Sequence, residues 1–239
     1  MEPRSPFLIT LGNDRLAGEV RGVVRRFPVA GDVVTALDRV DLEIPFGGMT
    51  VVAGPSGSGK STLLSLLACT QRPDEGSVRV GDTEVLALSR RDRRELRRDR
   101  LGIVLPQPSE NLLDQLDAAG NIRWAAEQRQ GRSTAFSDDD IAELLDSVGL
   151  AEAHGRRVRE LSGGEQQRLA VACALAGEPE LVILDEPTAS LDRTNATTLV
   201  EVLAGVAARG ATMVIATHDH MVIDAADSLA ELDHGRRIR

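Results

Sequence analysis

Aromatic side chains are almost absent from this sequence, which has four Phe, one Trp and no Tyr in 239 residues. The core must then be built from Leu, Val, Ile and Ala, and any site that needs an aromatic face has few candidates. Cysteine is scarcer still: Cys69 and Cys173 stand in no metal-ligand spacing, and two thiols in a chain of this length fit a reducing compartment, not a disulfide scaffold. No run approaches the roughly 18 apolar residues that a membrane span requires, and Met1-Glu2-Pro3-Arg4 opens no apolar leader. The expectation is a cytoplasmic protein that meets any membrane through a partner. Basic charge is in the minority, since 28 basic residues against 37 acidic ones leave a net charge of -9, which argues against a protein whose main task is non-specific contact with polyphosphate backbone. Lysine is as scarce as tryptophan: Lys60 is the only one.

What is present reads as one domain of α/β class. Apolar runs rich in Val and Ile recur at Thr50 to Ala53, Leu101 to Leu105, Leu181 to Leu184 and Thr212 to Ala216, with helical patterns between several of them, which predicts a mostly parallel sheet. Shorter strands at Val20 to Arg26, Val33 to Leu37 and Val40 to Ile44, with a turn at Ala30-Gly31-Asp32, predict an N-terminal antiparallel β layer. From about Asp114 to Glu160 the pattern is helical. Ile141, Leu144, Leu145 and Val148 share one face, and Ser137 with Asp140 offers a helix cap. Arg90 to Arg100 holds seven arginines beside Asp92, Glu95 and Asp99. Interspersed opposite charges without aromatic neighbours favour a solvated helix laced with intrahelical ion pairs over a nucleic-acid or acidic-lipid patch.

After the strand at Thr50 to Ala53 comes Gly54-Pro55-Ser56-Gly57-Ser58-Gly59-Lys60-Ser61-Thr62 and then a helix-like run from Leu63 to Cys69. Strand, glycine-rich turn and helix occur in the order that a phosphate-binding loop requires, so backbone N–H groups and the positive helix end face phosphate oxygens. Lys60 is placed to reach terminal phosphates and Ser61 to ligate Mg2+. Downstream, Leu181 to Leu184 delivers Asp185-Glu186-Pro187 to the carboxyl end of a sheet strand, where Asp185 can hold magnesium and Glu186 can polarise an attacking water. Between the two, Leu161-Ser162-Gly163-Gly164-Glu165-Gln166-Gln167-Arg168 is another glycine-bearing loop entering a helix, a second anion site.

The order of these segments, with Ser190-Leu191-Asp192 and Thr217-His218-Asp219 after them, resembles the ATP-binding cassette (ABC) ATPases over nearly the whole chain. The resemblance implies a P-loop NTPase core with an inserted α-helical subdomain. A single nucleotide-binding domain would span 1–239, with about 1–110 and 166–239 forming the ATP-binding core and about 111–165 the helical subdomain. It also implies a head-to-tail dimer with a second copy or a related cassette. ATP at Lys60 of one would be covered by Ser162, Gly163, Gly164 and Glu165 of the other. In the same way His218 matches the switch histidine at the terminal phosphate, Asp192 the loop that crosses between subunits, and Phe27 the aromatic stacked on adenine. His154, His220 and His234 match nothing.

One region departs from the family. Where a glutamine that senses magnesium is expected after Leu101 to Leu105, the chain has Pro106, and Gln107 is one residue late. Gln107 is expected to substitute, because proline has neither an amide side chain nor an N–H. The charged helix before Pro106, Glu165 and the run Glu186 to Asp192 resemble the lipoprotein-release, macrolide-efflux and cell-division subfamily. That implies a separate membrane permease docked through about Asn111 to Trp124, at the inner face of the cell membrane, with no nucleic acid involved. Two readings stay beside it: a non-transporting ATPase that regulates a membrane-bound complex, and a soluble ATPase acting on nucleic acid or ribosomes.

Overall fold

The computed structural model describes residues 15–29, 31–129 and 136–239. β1 (Leu16–Val29) and β2 (Asp32–Pro45) form a long antiparallel hairpin, paired from Leu16 with Pro45 down to Val29 with Asp32 at the tip. One strand therefore stands where the sequence predicts two, Val33 to Leu37 and Val40 to Ile44. The apparent break is a β-bulge. Between the pairs Val23 with Val40 and Arg25 with Leu37, β2 contributes an extra residue, and Arg39 takes φ 53. The extra residue inverts the alternation, so buried Leu37 and Val40 fall out of phase and the strand signal is lost between them.

β3 (Gly48–Ala53) opens a second sheet and is followed by α1 (Lys60–Leu67). The chain then returns to the hairpin, where β4 (Glu75–Val80) pairs antiparallel with β1, and β5 (Thr83–Glu84) completes the order β2-β1-β4-β5. Next come α2 (Arg90–Arg100), β6 (Leu101–Val104) and the helices α3 (Ala118–Gln128), α4 (Asp138–Ser147) and α5 (Gly163–Leu175). The chain ends with β7 (Leu181–Asp185), α6 (Arg193–Ala208), β8 (Thr212–Thr217), α7 (His220–Asp224), β9 (Ser228–Asp233) and β10 (Arg236–Arg237). The second sheet has the order β10-β9-β3-β8-β7-β6, parallel throughout except at β10.

The parallel strands are buried on both faces, so alternate residues feed different cores. Val51, Val182, Leu184, Met213 and Ile215 pack with α3 to α6 in one cluster. Val52, Leu181, Ile183, Val214 and Ala216 pack with α1 and the antiparallel layer in the other. The cap on α4 is present as a reciprocal pair: the Asp140 N–H donates to Ser137 Oγ at 3.1 Å and the Ser137 N–H to the Asp140 carboxylate at 2.7 Å. Ile141, Leu144 and Leu145 enter the helical cluster, as their spacing predicts.

Candidate active site

Sheet order decides which segments meet. β8 lies between β3 and β7, with Ala53 level with Thr217 and Asp185 level with Ala216. The turn at 54–59, Thr217-His218 and Asp185-Glu186 therefore leave the carboxyl edge side by side, where parallel sheets bind their ligands.

In the first of these segments, Gly54 has φ 151 and a Cβ there would lie 2.2 Å from the Leu232 carbonyl oxygen. Gly59 has φ 103, and its Cβ would lie 2.5 Å from that of Ala36. Only glycine lets the turn pass between these carbonyls. Pro55, Ser56 and Gly57 are exposed at the turn, which the Ser58 N–H closes by donating to the Pro55 carbonyl at 3.2 Å, while the Ser58 hydroxyl is buried without a partner. Gly59 gives α1 no side-chain cap, so the N–H groups of its first turn, Lys60 to Thr62, lack intrahelical acceptors and face outward with the positive helix end behind them.

Lys60 is 6% exposed, and its ammonium donates to the carbonyls of Gly54 at 2.7 Å and Pro55 at 3.1 Å. It also lies 3.4 Å from Glu186 Oε1. That oxygen meets His218 Nδ1 at 2.9 Å, and the Thr217 hydroxyl donates to Glu186 Oε2 at 3.2 Å. Glu186 is thus the hub of the site. It holds φ 45, a left-handed conformation that costs a residue with a Cβ on the order of 1–2 kcal/mol, and its N–H donates to the Ala216 carbonyl at 2.8 Å.

Asp185 shares strand parity with Leu181 and Ile183, so it faces the α1 side, where Ser61 begins the helix. Burial pushes its carboxyl above the usual range, opposed by the Ser61 hydroxyl, raised further by the charge of Glu186 and opposed by Lys60. Its Oδ1 is buried with no hydrogen-bond partner. An orphaned carboxylate oxygen beside a serine hydroxyl is a donor set that suits a hard divalent cation sharing its shell with phosphate. Among the described residues no group of three or more His, Cys, Asp or Glu could hold a metal without such help.

Ser162, Gly163, Gly164 and Glu165 form a separate cluster at the start of α5. The Ser162 N–H donates to Glu165 Oε2 at 2.7 Å, the Glu165 N–H to Ser162 Oγ at 3.3 Å, and Arg156 holds Glu165 Oε1 at 2.7 Å. Ser162 and Gly163 are exposed, whereas Gly164 is buried against Asn195, whose Oδ1 would lie 2.1 Å from a Cβ. Asn195 also binds Asp192, the cap of α6, through its backbone N–H at 2.9 Å and its side-chain amide at 2.7 Å. It therefore links two predicted site segments, and the sequence gives no sign of it because its partners are brought together only by the packing of α5 on α6. No hydrogen bond or ion pair joins this cluster to the Lys60 and Glu186 group among the described residues.

The Ser162 N–H, against the cost of burial and together with Arg156 and the Ser162 hydroxyl, holds the Glu165 carboxyl below its usual range. The unfolded chain takes up this proton first. The stabilisation is therefore full above the ordinary carboxylate value and is lost as pH falls through the lowered folded value. Melting temperatures of wild type and Glu165→Gln, followed from about pH 7 to about pH 3, are expected to converge on acidification, and a constant gap contradicts this role.

Phe27 is half-buried outside both cores, with the Arg25 guanidinium 4.5 Å from its ring centre. It pairs across the hairpin with Val34, two residues from Ala36, whose carbonyl oxygen would lie 2.5 Å from a Cβ at Gly59, so the ring sits on the part of the hairpin that leads toward the turn at 54–59. Gln107 is exposed and its amide makes no hydrogen bond among the described residues. Its backbone is fixed by Asn111, whose side chain accepts from the Leu105 N–H at 2.7 Å and donates to the carbonyls of Leu105 at 3.0 Å and Gln107 at 2.9 Å. Asn111 thus clasps the loop around Pro106.

A family model described as ABC transporter matches residues 37–189. The lipoprotein-releasing system ATP-binding protein LolD 1 of Rhodopirellula baltica is 36% identical over 216 residues, which cover 90% of this chain and 93% of that one. The macrolide export ATP-binding/permease protein MacB of Agrobacterium fabrum is 38% identical over 216 residues, 90% of this chain but 33% of MacB, so the chain spans about one third of such relatives. Among solved structures, the dimeric post-hydrolysis state of the ATP-binding cassette MJ0796 bound to ADP and Pi is similar with TM-score 0.78 and 29% identity, over 93% of this chain and 97% of that one. A structure of cbiO1 from Clostridium perfringens, part of the ABC transporter complex cbiONQ, reaches TM-score 0.79 at 25% identity, covering 95% and 88%.

Proposed function

We propose that this chain, which belongs to the ABC transporter family and is an ATP-binding, ATP-hydrolysing cassette, works as one half of a head-to-tail dimer that drives a separate membrane permease. The observation that carries the reading is the convergence of Lys60, Glu186 and His218 at one sheet edge, beside the orphaned oxygen of Asp185.

In this reading the N–H groups of Gly54 to Thr62 cradle the phosphates of ATP, apart from proline at 55, and Lys60 neutralises the terminal ones. Phe27 stacks on adenine. Ser61 and Asp185 hold Mg2+ with Gln107, whose uncommitted amide sits on a clasped loop; the metal supplies charge neutralisation on the phosphates when bound. Glu186 orients and polarises the attacking water, and His218 contacts the terminal phosphate. Ser162, Gly163, Gly164 and Glu165 cover the ATP of the other protomer, and Asp192 reaches across beside them. Their separation from Lys60 within one chain supports a site completed between two.

The stretch from about Asn111 to Trp124 carries the permease contact, with exposed Trp124 as an anchor on α3. None of the helices formed by the described residues is long and apolar enough to cross a membrane. MacB's name joins ATP-binding and permease functions, and this chain corresponds to about one third of it; in this reading the cassette works at the inner face of the membrane that its permease spans.

The test measures phosphate release and molecular mass with ATP and magnesium. Wild type is expected to hydrolyse ATP only when magnesium is present and to reach twice its monomer mass with ATP. Gln107→Ala is expected to lower turnover and dimer formation about tenfold, the usual cost of disturbing a metal shell. Magnesium-independent hydrolysis sinks the reading of Asp185 and Ser61, and an unimpaired Gln107→Ala removes Gln107 from the shell.

A further inference from the structure

The arginines of α2 take no part in the site above, and they are less fully paired than a helix of intrahelical ion pairs would be. Arg91 pairs with Glu95 and Arg98 with Asp99 within the helix, while Arg100 pairs outside it with Glu180. Arg97 donates to the Cys69 carbonyl at 2.8 Å, and Arg72, before the helix, to the Leu88 carbonyl at 2.6 Å. Arg90, Arg93 and Arg94 have no carboxylate partner among the described residues. Arg72, Arg90, Arg93, Arg94 and Arg97 nevertheless line one open recess of about 590 Å³ together with Thr70 and the buried Cys69.

Arg93 registers the cost of that convergence. Its Nε is sealed from solvent without an acceptor. Burial first, and then the charges of Arg72 and Arg97, hold its pKa below the usual guanidinium value. Among the described residues no carboxylate pairs with it, and the neighbouring thiol of Cys69 is pushed up to about 11 by burial and stays protonated.

We propose that this recess is a socket for an acidic segment of a partner protein, two or more carboxylates held by the guanidinium forks of Arg90, Arg93 and Arg94. Guanidinium and carboxylate match in bidentate geometry, and several unpaired forks in a concavity fit several carboxylates on one flexible segment. A bilayer of anionic lipid fits less well. The recess is concave and lined by arginine, threonine and cysteine, with no aromatic or large apolar side chain to enter the interface. The chain's charge of -9 also opposes approach to an extended negative surface, whereas salt screens the chain's remote acidic groups from a segment held at contact distance in the recess. The proposal rests on the reading that the cassette works with a partner protein.

The experiment uses the full chain and a fluorescein-labelled hexaglutamate peptide, followed by anisotropy, with hexaglutamine as control and phosphatidylglycerol–phosphatidylcholine vesicles in a parallel sedimentation assay. Hexaglutamate is expected to bind, hexaglutamine not, and Arg93→Ala/Arg94→Ala to weaken binding about tenfold while ATP hydrolysis stays at the wild-type rate. Should the double variant fail to fold, Arg94→Gln alone, at an exposed position, serves the same comparison. Three results overturn the proposal: no binding of hexaglutamate, equal binding by the variant, or arginine-dependent binding of vesicles without the peptide. Loss of ATP hydrolysis in wild type would instead overturn the cassette mechanism, and is read out separately.

Discussion

Glu186→Gln is expected to bind ATP, to hydrolyse it roughly 10²- to 10⁴-fold more slowly, and to accumulate as a dimer. Glutamine keeps the length of the side chain and an oxygen able to accept from the Thr217 hydroxyl, so the left-handed backbone at this position retains its local support. What disappears is the negative charge that lies 3.4 Å from the Lys60 ammonium and 2.9 Å from His218. An amide is not a base for a water proton, and the barrier rises by about 3–5 kcal/mol. Binding is spared because the phosphate cradle consists of backbone N–H groups and Lys60. The two protomers then stay joined through unhydrolysed ATP. Single-turnover phosphate release together with size-exclusion chromatography checks both halves, and rapid turnover in the variant sinks the assignment.

Lys60→Ala acts one step earlier. The ammonium is nearly buried, between two carbonyls and Glu186, and it is the one cation that the loop brings to the carboxyl edge. A charge-assisted contact to phosphate is worth about 1.5–3 kcal/mol. Removing it lowers ATP affinity about 10- to 100-fold, leaves Glu186 without its lysine partner, and takes hydrolysis to background. Arginine is not a conservative replacement, because a planar fork in so closed a site cannot reproduce a point charge with three donors. Calorimetric titration with ATP checks the affinity, and near-normal binding by the alanine variant would remove Lys60 from the phosphates.

Local signals in the sequence carry well into the structure where partners are near in the chain. The cap at Ser137 and Asp140, the helical face of Ile141, Leu144 and Leu145, and the strand that ends in Asp185 all depend on fixed periodicities or a three-residue reach. β2 is misread because a bulge at Asp38 and Arg39 shifts the phase of an alternation that is otherwise regular. β4 and β9 are missed for a different reason. Glu75 and Gly76 in β4 and Ala230, Glu231 and Asp233 in β9 are poor strand formers, and each strand exists because β1 or β3 supplies a neighbour to pair with.

The site follows the same division. The phosphate-loop segment, Asp185 and Glu186 are legible because each is a continuous motif on one element. Asn111 and Asn195 are not. Each acts by holding backbone or a glycine face that the folded loop, or the packing of two helices, brings within reach. The α2 arginines are legible as a helix but not as a recess, because Cys69 and Arg72 come from the segment that follows a different helix, α1.

The division of the parallel strands between two cores makes β7 more sensitive to its length than to its composition. Leu, Val and Ile can replace one another there at modest cost, since each core asks only for volume. Adding or removing one residue between Leu181 and Asp185 would leave the strand hydrophobic, yet send the side chains beyond the change into the opposite core. The carboxylate at the strand's end would then turn from the Ser61 side toward the helical side, and no substitution elsewhere could compensate. The strand is in effect a ruler, with Asp185 as its last mark.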